Sequence, residues 1–136
     1  MTIVLRPARL VDEIERLSSI DNGIYLVAED AGAIVGHARL RPLDLAVTAH
    51  VVVLTIAVHE GQQGKGIGRQ LMAALIAWAR QNALVEKIEL RVRSSNERAI
   101  ALYRSCSFVE EGRMVKRLKI GAGEYLDDIC MGLWVA

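Results

Sequence analysis

The sequence predicts one α/β domain, residues 1–136, built on a mixed β-sheet with helices on both faces. Three observations carry this. Val51–Val58 is a run of eight strand-forming residues, apolar except for Thr55. A glycine-rich turn and an amphipathic stretch follow it directly, and a second alternating segment, Lys87–Arg93, comes next. Hairpin signals flank this β-α-β centre on both sides, so antiparallel strands are expected beside the parallel pair. The expected order is β-α-β-β-β-α-β-α-β-β.

Each element has its own reason. Ile3–Leu5 is strand-rich and ends at Arg6-Pro7. Val11, Ile14 and Leu17 recur at helical spacing, which predicts a short helix ending before Asp21-Asn22-Gly23. Tyr25–Glu29 and Ala33–Leu40 flank "DAG", a hairpin turn signal. Pro42 and Asp44 mark a loop. Val51–Val58 reads as a central strand covered on both faces. Ile67, Leu71, Leu75 and Trp78 form one apolar stripe, so a helix runs from Ile67 to about Gln81 with Arg69, Gln70, Arg80 and Gln81 turned to solvent. "KIELRVR" alternates as a strand does. Ser95 or Asn96 caps a helix that continues through Tyr103 to about Ser105. Met114–Ile120 and Tyr125–Val135 are two further strands around "GAGE".

Composition excludes several classes. Apolar residues make up 52% of the 136, and mean hydropathy is +0.26, enough for a sizeable core without staples. The formal net charge of +1, without charge runs, argues against a nucleic-acid or membrane-surface partner. "MTIVLRPARL" lacks the apolar core of a signal peptide, and the longest apolar run is too short to span a bilayer. Cys106 and Cys130 have no metal-ligand spacing and read as free thiols of a cytoplasmic protein. No metal is expected.

The densest functional signal is "HEGQQGKGIGRQLM", His59–Met72, with four of the chain's eleven glycines. A buried strand, a glycine turn and a helix N-terminus make an anion site. The first helical turn has unpartnered N–H groups, and the macrodipole places positive charge there. Glycines let those groups approach a phosphate closely, and Lys65 and Arg69 add full charges. The spacing disfavours a P-loop, because Lys65 is followed by Gly66 and not by a hydroxyl to hold magnesium. It also disfavours a dinucleotide loop, which needs G-x-G-x-x-G near the start of a large parallel sheet. A diphosphate cradle remains.

Gln63-x-x-Gly66-x-Gly68 resembles the coenzyme A loop of the GNAT superfamily of N-acetyltransferases. "SSNERAIALYRSCSF", Ser94–Phe108, is similar to that superfamily's second signature: an asparagine opening a helix, a leucine-tyrosine pair, and a closing aromatic. The element order from Ile3 to Val135 fits as well. "GEYLDDICMGLWV" resembles the last strand of bacterial members that acetylate amino acids or similar small amines. The resemblance implies that acetyl-CoA threads between splayed central parallel strands, those ending at Val58 and near Arg93. Its pantetheine arm would pair with Ile56, Ala57 and Val58. Its diphosphate would take N–H groups from Gln63 or Gly64 through Lys65, Gly66, Ile67, Gly68 and Arg69. Asn96 would hydrogen-bond the pantetheine, although a simple N-cap is its commoner fate. Tyr103, seven residues on and on the same face, would protonate the departing thiolate, or else be a core tyrosine.

The implied reaction is direct acetyl transfer to a primary amine, with a backbone N–H near Ile56–Val58 stabilising the oxyanion. The base is open: many relatives carry a glutamate on the strand corresponding to Val51–Val58, which here has no carboxylate. His37, His50, His59 or a water are the alternatives. An α-amine of pKa near 8 is about a fifth neutral at pH 7.5, a lysine-like amine only about a thousandth. A site without a strong base therefore suits an amino acid or an N-terminus. Competing readings are a non-catalytic acyl-CoA sensor or regulatory subunit, an acetyltransferase of protein N-termini, and a nucleotide-binding α/β domain. Two departures from the family pattern bear on the site. Ser107 stands where the family usually has a glycine. Only 24 residues precede Tyr25, room for about one helix, so the acceptor pocket is expected to be open or completed by a second copy through the C-terminal strands.

Overall fold

The computed structural model describes residues 2–8 and 22–136. They fall into two compact units, residues 1–88 with 135–136, and residues 89–134. The helix expected around Val11–Leu17 lies outside the described residues.

In the first unit, β1 (Ile3–Pro7), β2 (Ile24–Asp30), β3 (Ala33–Pro42) and β4 (Val51–Val58) are neighbours in that order, each antiparallel to the next. Ala31 and Gly32 between β2 and β3 both have positive φ, 50° and 83°. That is the two-residue hairpin turn whose twist matches its strands. A bulge follows: Glu29 faces Ile34, but Ala28 faces Gly36, so Val35 is the extra residue. A one-residue slip exchanges the faces of everything beyond it. Tyr25, Val27, His37, Arg39, Thr55 and Ala57 therefore share one face of β2–β4.

The other face carries helix α1, Ile67–Gln81, with the predicted boundaries. Its buried residues are Ile67, Leu71, Met72, Leu75 and Ala79. Trp78, expected in the stripe, is only half-buried, and Ala79 takes the inward position. The close approach is made at Gly36, where a Cβ would lie 3.1 Å from the Ala57 carbonyl oxygen and 3.2 Å from Ile67 Cγ2. The His50 carbonyl, just ahead of β4, accepts N–H bonds from both Glu86 and Lys87. Lys87, where strand β5 (Lys87–Arg93) begins, is thereby tied to the start of β4 within this unit.

The second unit holds the rest of β5, helix α2 (Glu97–Ser105), β6 (Val109–Gly121) and β7 (Glu124–Trp134), with the strands in the order β5-β7-β6. β6 begins at Val109, five residues before the expected start at Met114. Its first residues, "VEEG", have no apolar face, because this edge strand is exposed almost throughout. β6 and β7 slip register three times. At the middle slip Lys116 has φ 54° and donates its N–H to Asp127 Oδ1 (2.8 Å), while Arg113 holds Asp127 Oδ2 at 2.7 Å.

Candidate active site

The first unit supplies a strand end, a loop and a helix start. The His59 N–H donates to the Val35 carbonyl (2.8 Å) as β4 ends, and the Gln62 N–H donates back to the His59 carbonyl (3.0 Å). Gly61, Gly64 and Gly66 then adopt φ of 82°, 79° and 82°. An L side chain is strained in that region, so the backbone path itself requires these three glycines. Gly61 was not singled out from the sequence, and Gly68 proves different: it lies in the first turn of α1 with ordinary helical geometry. A Cβ at Gly64 or Gly66 would meet no protein atom within 4 Å, so open space lies in front of the loop.

Gly66 is the N-cap of α1, and no side chain caps this end. The first intrahelical bond runs from the Gln70 N–H to the Gly66 carbonyl. The N–H groups of Ile67 and Gly68 come before it and have no acceptor within the helix. No acidic residue sits in the first turn, so the dipole end keeps its positive character. Exposed Lys65 is tethered by Nζ donation to Gln62 Oε1 at 3.0 Å. Arg69 is exposed one turn into the approach. These are donors and charges suited to an oxyanion, held by backbone more than by flexible side chains.

β4 does not match the expected covering on both faces along its whole length. Val51, Val52 and Leu54 are buried; Thr55 is exposed, and Ile56, Ala57 and Val58 are half-covered. The His59 bond to Val35 fixes the ladder phase. His59 and Ala57 turn their N–H groups towards β3, so those of Ile56 and Val58 point to the opposite edge of β4.

The three histidines separate. His50 precedes β4, six residues from Ile56, roughly 20 Å along a strand. His37 and His59 come together at the other end, ring centroids 6.3 Å apart and edge-on. Tyr25 stacks on His37 (5.9 Å, 20° between planes), with its hydroxyl oxygen 3.2 Å from His37 Nδ1. Burial, followed by the nearby His59 and Arg39, lowers the His37 pKa from its ordinary value. Tyr25 is the residue that sequence reading missed. Counting back from the turn without the bulge puts Tyr25 and His37 on opposite faces.

The second unit places Asn96 and Tyr103. Asn96 is the N-cap of α2, its Oδ1 accepting from the Ala99 N–H at 3.2 Å. Its amide N–H groups and the second lone pair of Oδ1 remain to serve a ligand. Tyr103 is the buried residue of α2, its ring 6.0 Å from that of Phe108. Burial raises its phenol pKa, so it is a protonated group throughout neutral pH. Ser107 answers its departure from the glycine pattern directly: it adopts φ 73°, the conformation a glycine favours. Its N–H bonds the Arg104 carbonyl and that of Phe108 bonds the Tyr103 carbonyl, the paired bonds of a Schellman helix end. Among the described residues, no group of three or more His, Cys, Asp or Glu side chains could hold a metal ion. No described helix is long and apolar enough to cross a membrane.

Comparison with solved structures bears on the fold. The fold matches yncA from Salmonella typhimurium, solved with its cofactor acetyl-CoA, at a TM-score of 0.84 and 24% identity, covering 98% of this chain and 94% of that one. The model of the Acetyltransferase (GNAT) family matches residues 3–108, and the chain belongs to this family. Among curated relatives, N-alpha-acetyltransferase RimI of Mycobacterium tuberculosis is 35% identical over 102 residues, 74% of this chain. The match spans only 62% of the length of that relative. L-amino acid N-acetyltransferase AaaT of Escherichia coli is 31% identical over 113 residues, 83% of this chain and 69% of the relative.

Proposed function

We propose that the chain, as one acetyltransferase domain, moves the acetyl group of acetyl-CoA directly to the primary amine of a small molecule, an amino acid foremost. One observation carries this reading. An uncapped helix N-terminus, approached through left-handed glycines and free of acidic residues, opens from a strand whose last three residues are half-covered. That arrangement fits a diphosphate joined to an extended arm.

The roles follow. The loop from Gln63 through Gly64, Lys65, Gly66, Ile67 and Gly68 to Arg69 takes the diphosphate. The arm pairs with the edge of β4 to which Ile56 and Val58 present their N–H and C=O groups, with Ala57 between them turned to β3. A donor on that edge stabilises the tetrahedral oxyanion. For the second unit, the family resemblance assigns the Asn96 amide N–H to the same ligand and the Tyr103 proton to the departing thiolate. A phenol raised above pKa 10 is a weak acid towards a thiolate of conjugate pKa near 8.5, so this transfer accompanies C–S cleavage and does not precede it. Family membership and the amino-acid acetyltransferase relative support the acceptor class. A protein N-terminus is the second reading, favoured by the likeness to RimI.

The deciding experiment is a thiol-release assay with acetyl-CoA against free amino acids, polyamines, aminoglycosides and N-terminal peptides. Turnover with an α-amino acid is the expected result, and turnover with peptides alone would select the second reading. Tight CoA binding without transfer to any amine would make the protein a sensor.

A further inference from the structure

We propose that His37 is the general base for the acceptor amine, and that Tyr25 is the residue positioning it. This rests on the acetyltransferase reading and adds the group that β4, without a carboxylate, does not itself provide.

The argument is geometric. His37 stands opposite Ala57 in the β3–β4 register, so both side chains rise from the same face. Ala57 is the middle residue of the stretch assigned to the thioester arm, and its methyl leaves the face beside the imidazole low. Directly opposed residues have Cβ atoms about 5 Å apart. An imidazole there reaches over the neighbouring strand, within the range of a hydrogen bond, or one water, of an amine approaching the arm.

The ring is also held. Tyr25 stacks on it and bonds Nδ1. With Nδ1–H donating to the phenol oxygen, Nε2 carries the free lone pair, and the contact survives when Nε2 gains a proton. This placement depends on the bulge at Val35, which brings Tyr25 to the face of His37. The other two histidines are placed differently. His50 is at the far end of β4, and His59 is exposed, touching His37 only through its ring edge. Among the described residues, the charged and titratable groups facing His37 are Tyr25 from β2, Arg39 from β3 and His59 beyond β4; α1 lies on the opposite face. The nearest carboxylate on β2, Glu29, is committed to Arg6 at 2.6 Å. The surroundings hold the ring neutral at pH 7.

The step balances. The acceptor ammonium gives one proton to Nε2 of His37. The neutral nitrogen attacks the thioester carbon, a C–N bond forms, and the C–S bond breaks. The thiolate takes up a proton, the nitrogen sheds its second one, and His37 returns its own to water. The sum is ammonium plus acetyl-CoA giving amide, CoA thiol and one proton.

The test compares the full-length chain with His37→Gln, His37→Ala and Tyr25→Phe, using the best amine from the thiol-release panel. His37→Gln is expected to lower kcat at pH 7 by about 100-fold. The deficit should shrink as pH rises towards the pKa of the amine, while acetyl-CoA Kd stays within about twofold. Free imidazole should restore part of the His37→Ala rate. Tyr25→Phe keeps the stacked ring; it should lower kcat less and shift the acidic limb of the pH profile. That limb should match the titration of one imidazole Cε1–H resonance in wild type, assigned to His37 by its loss in His37→Gln. Wild-type transfer with kcat and pH profile unchanged in His37→Gln would overturn this proposal alone. Wild type without transfer to any amine would overturn the acetyltransferase reading and this proposal with it.

Discussion

Burial drives Tyr103 and His37 in opposite directions on the pH scale, yet the consequence is the same for both: each is held neutral. A neutral phenol is a proton donor and a neutral imidazole a proton acceptor, the two roles an acetyl transfer requires. Tyr103→Phe should lower kcat by 10²-fold or more, on the order of a lost general acid, with the KM for acetyl-CoA little changed. Steady-state kinetics at saturating amine would check this. His37 also predicts a stability trend. Its folded pKa lies below the unfolded value of 6.5, so the unfolded chain binds more protons in that interval. Above pH 6.5 there is no penalty; as pH falls from 6.5 through the folded pKa, stability is lost. Urea midpoints between pH 4.5 and 7.5 should fall with pH in wild type, and the slope should flatten in His37→Gln. Sequence reading offered Tyr103 as a candidate acid and His37 as one of three candidate histidines. It could not pair His37 with Tyr25, because one bulged residue decides which face Tyr25 occupies and nothing in "EDAGAIVG" marks it.

Elements were legible where one periodicity dominated. α1 has the expected limits because its apolar stripe is continuous and glycines stand ahead of it. The start of β6 was hidden because an exposed edge strand needs no apolar face. The end of α2 shows a glycine role filled by another residue. Ser107 bears φ 73° to close the Schellman motif that keeps Phe108 beside Tyr103. A non-glycine residue pays roughly 1–2 kcal/mol for that conformation, partly offset by the greater unfolded-state freedom of glycine. Ser107→Gly should therefore stabilise by up to about 1 kcal/mol, read as a rise in Tm, with acetyl-CoA affinity retained. Gly36→Ala should act oppositely. Its Cβ would press on the Ala57 carbonyl and on Ile67, the first residue of α1. Overpacking of this kind costs about 1–3 kcal/mol. Because both contacts belong to the proposed coenzyme A cradle, Gly36→Ala should also weaken acetyl-CoA binding by calorimetry, whereas a purely structural loss would lower Tm alone.

At the scale of the whole molecule, the C-terminal strands are the feature that one copy leaves unexplained. Val109, Val115, Ile120, Tyr125 and Trp134 are 61%, 69%, 53%, 45% and 58% exposed, all within β6 and β7. Large apolar side chains clustered on one hairpin favour a partner surface, and a second copy is the partner we propose. The form of the contact can be argued too. Residues 115–117 bulge out of the β6–β7 ladder, and β6 carries Arg113, Lys116, Arg117 and Lys119. Bulges and cations both oppose edge-to-edge strand addition. The copies are therefore expected to meet through side-chain faces of the hairpin and not by extending a sheet. Sedimentation equilibrium should give twice the 15.0 kDa of one chain. Val115→Glu together with Ile120→Glu should return it to one, because two carboxylates per copy would face each other across a two-fold axis. Asp127→Asn should weaken the dimer less directly. It loosens the Lys116 turn that presents Val115, without placing charge in the contact. A monomer in wild type at tens of micromolar would remove the C-terminal interface.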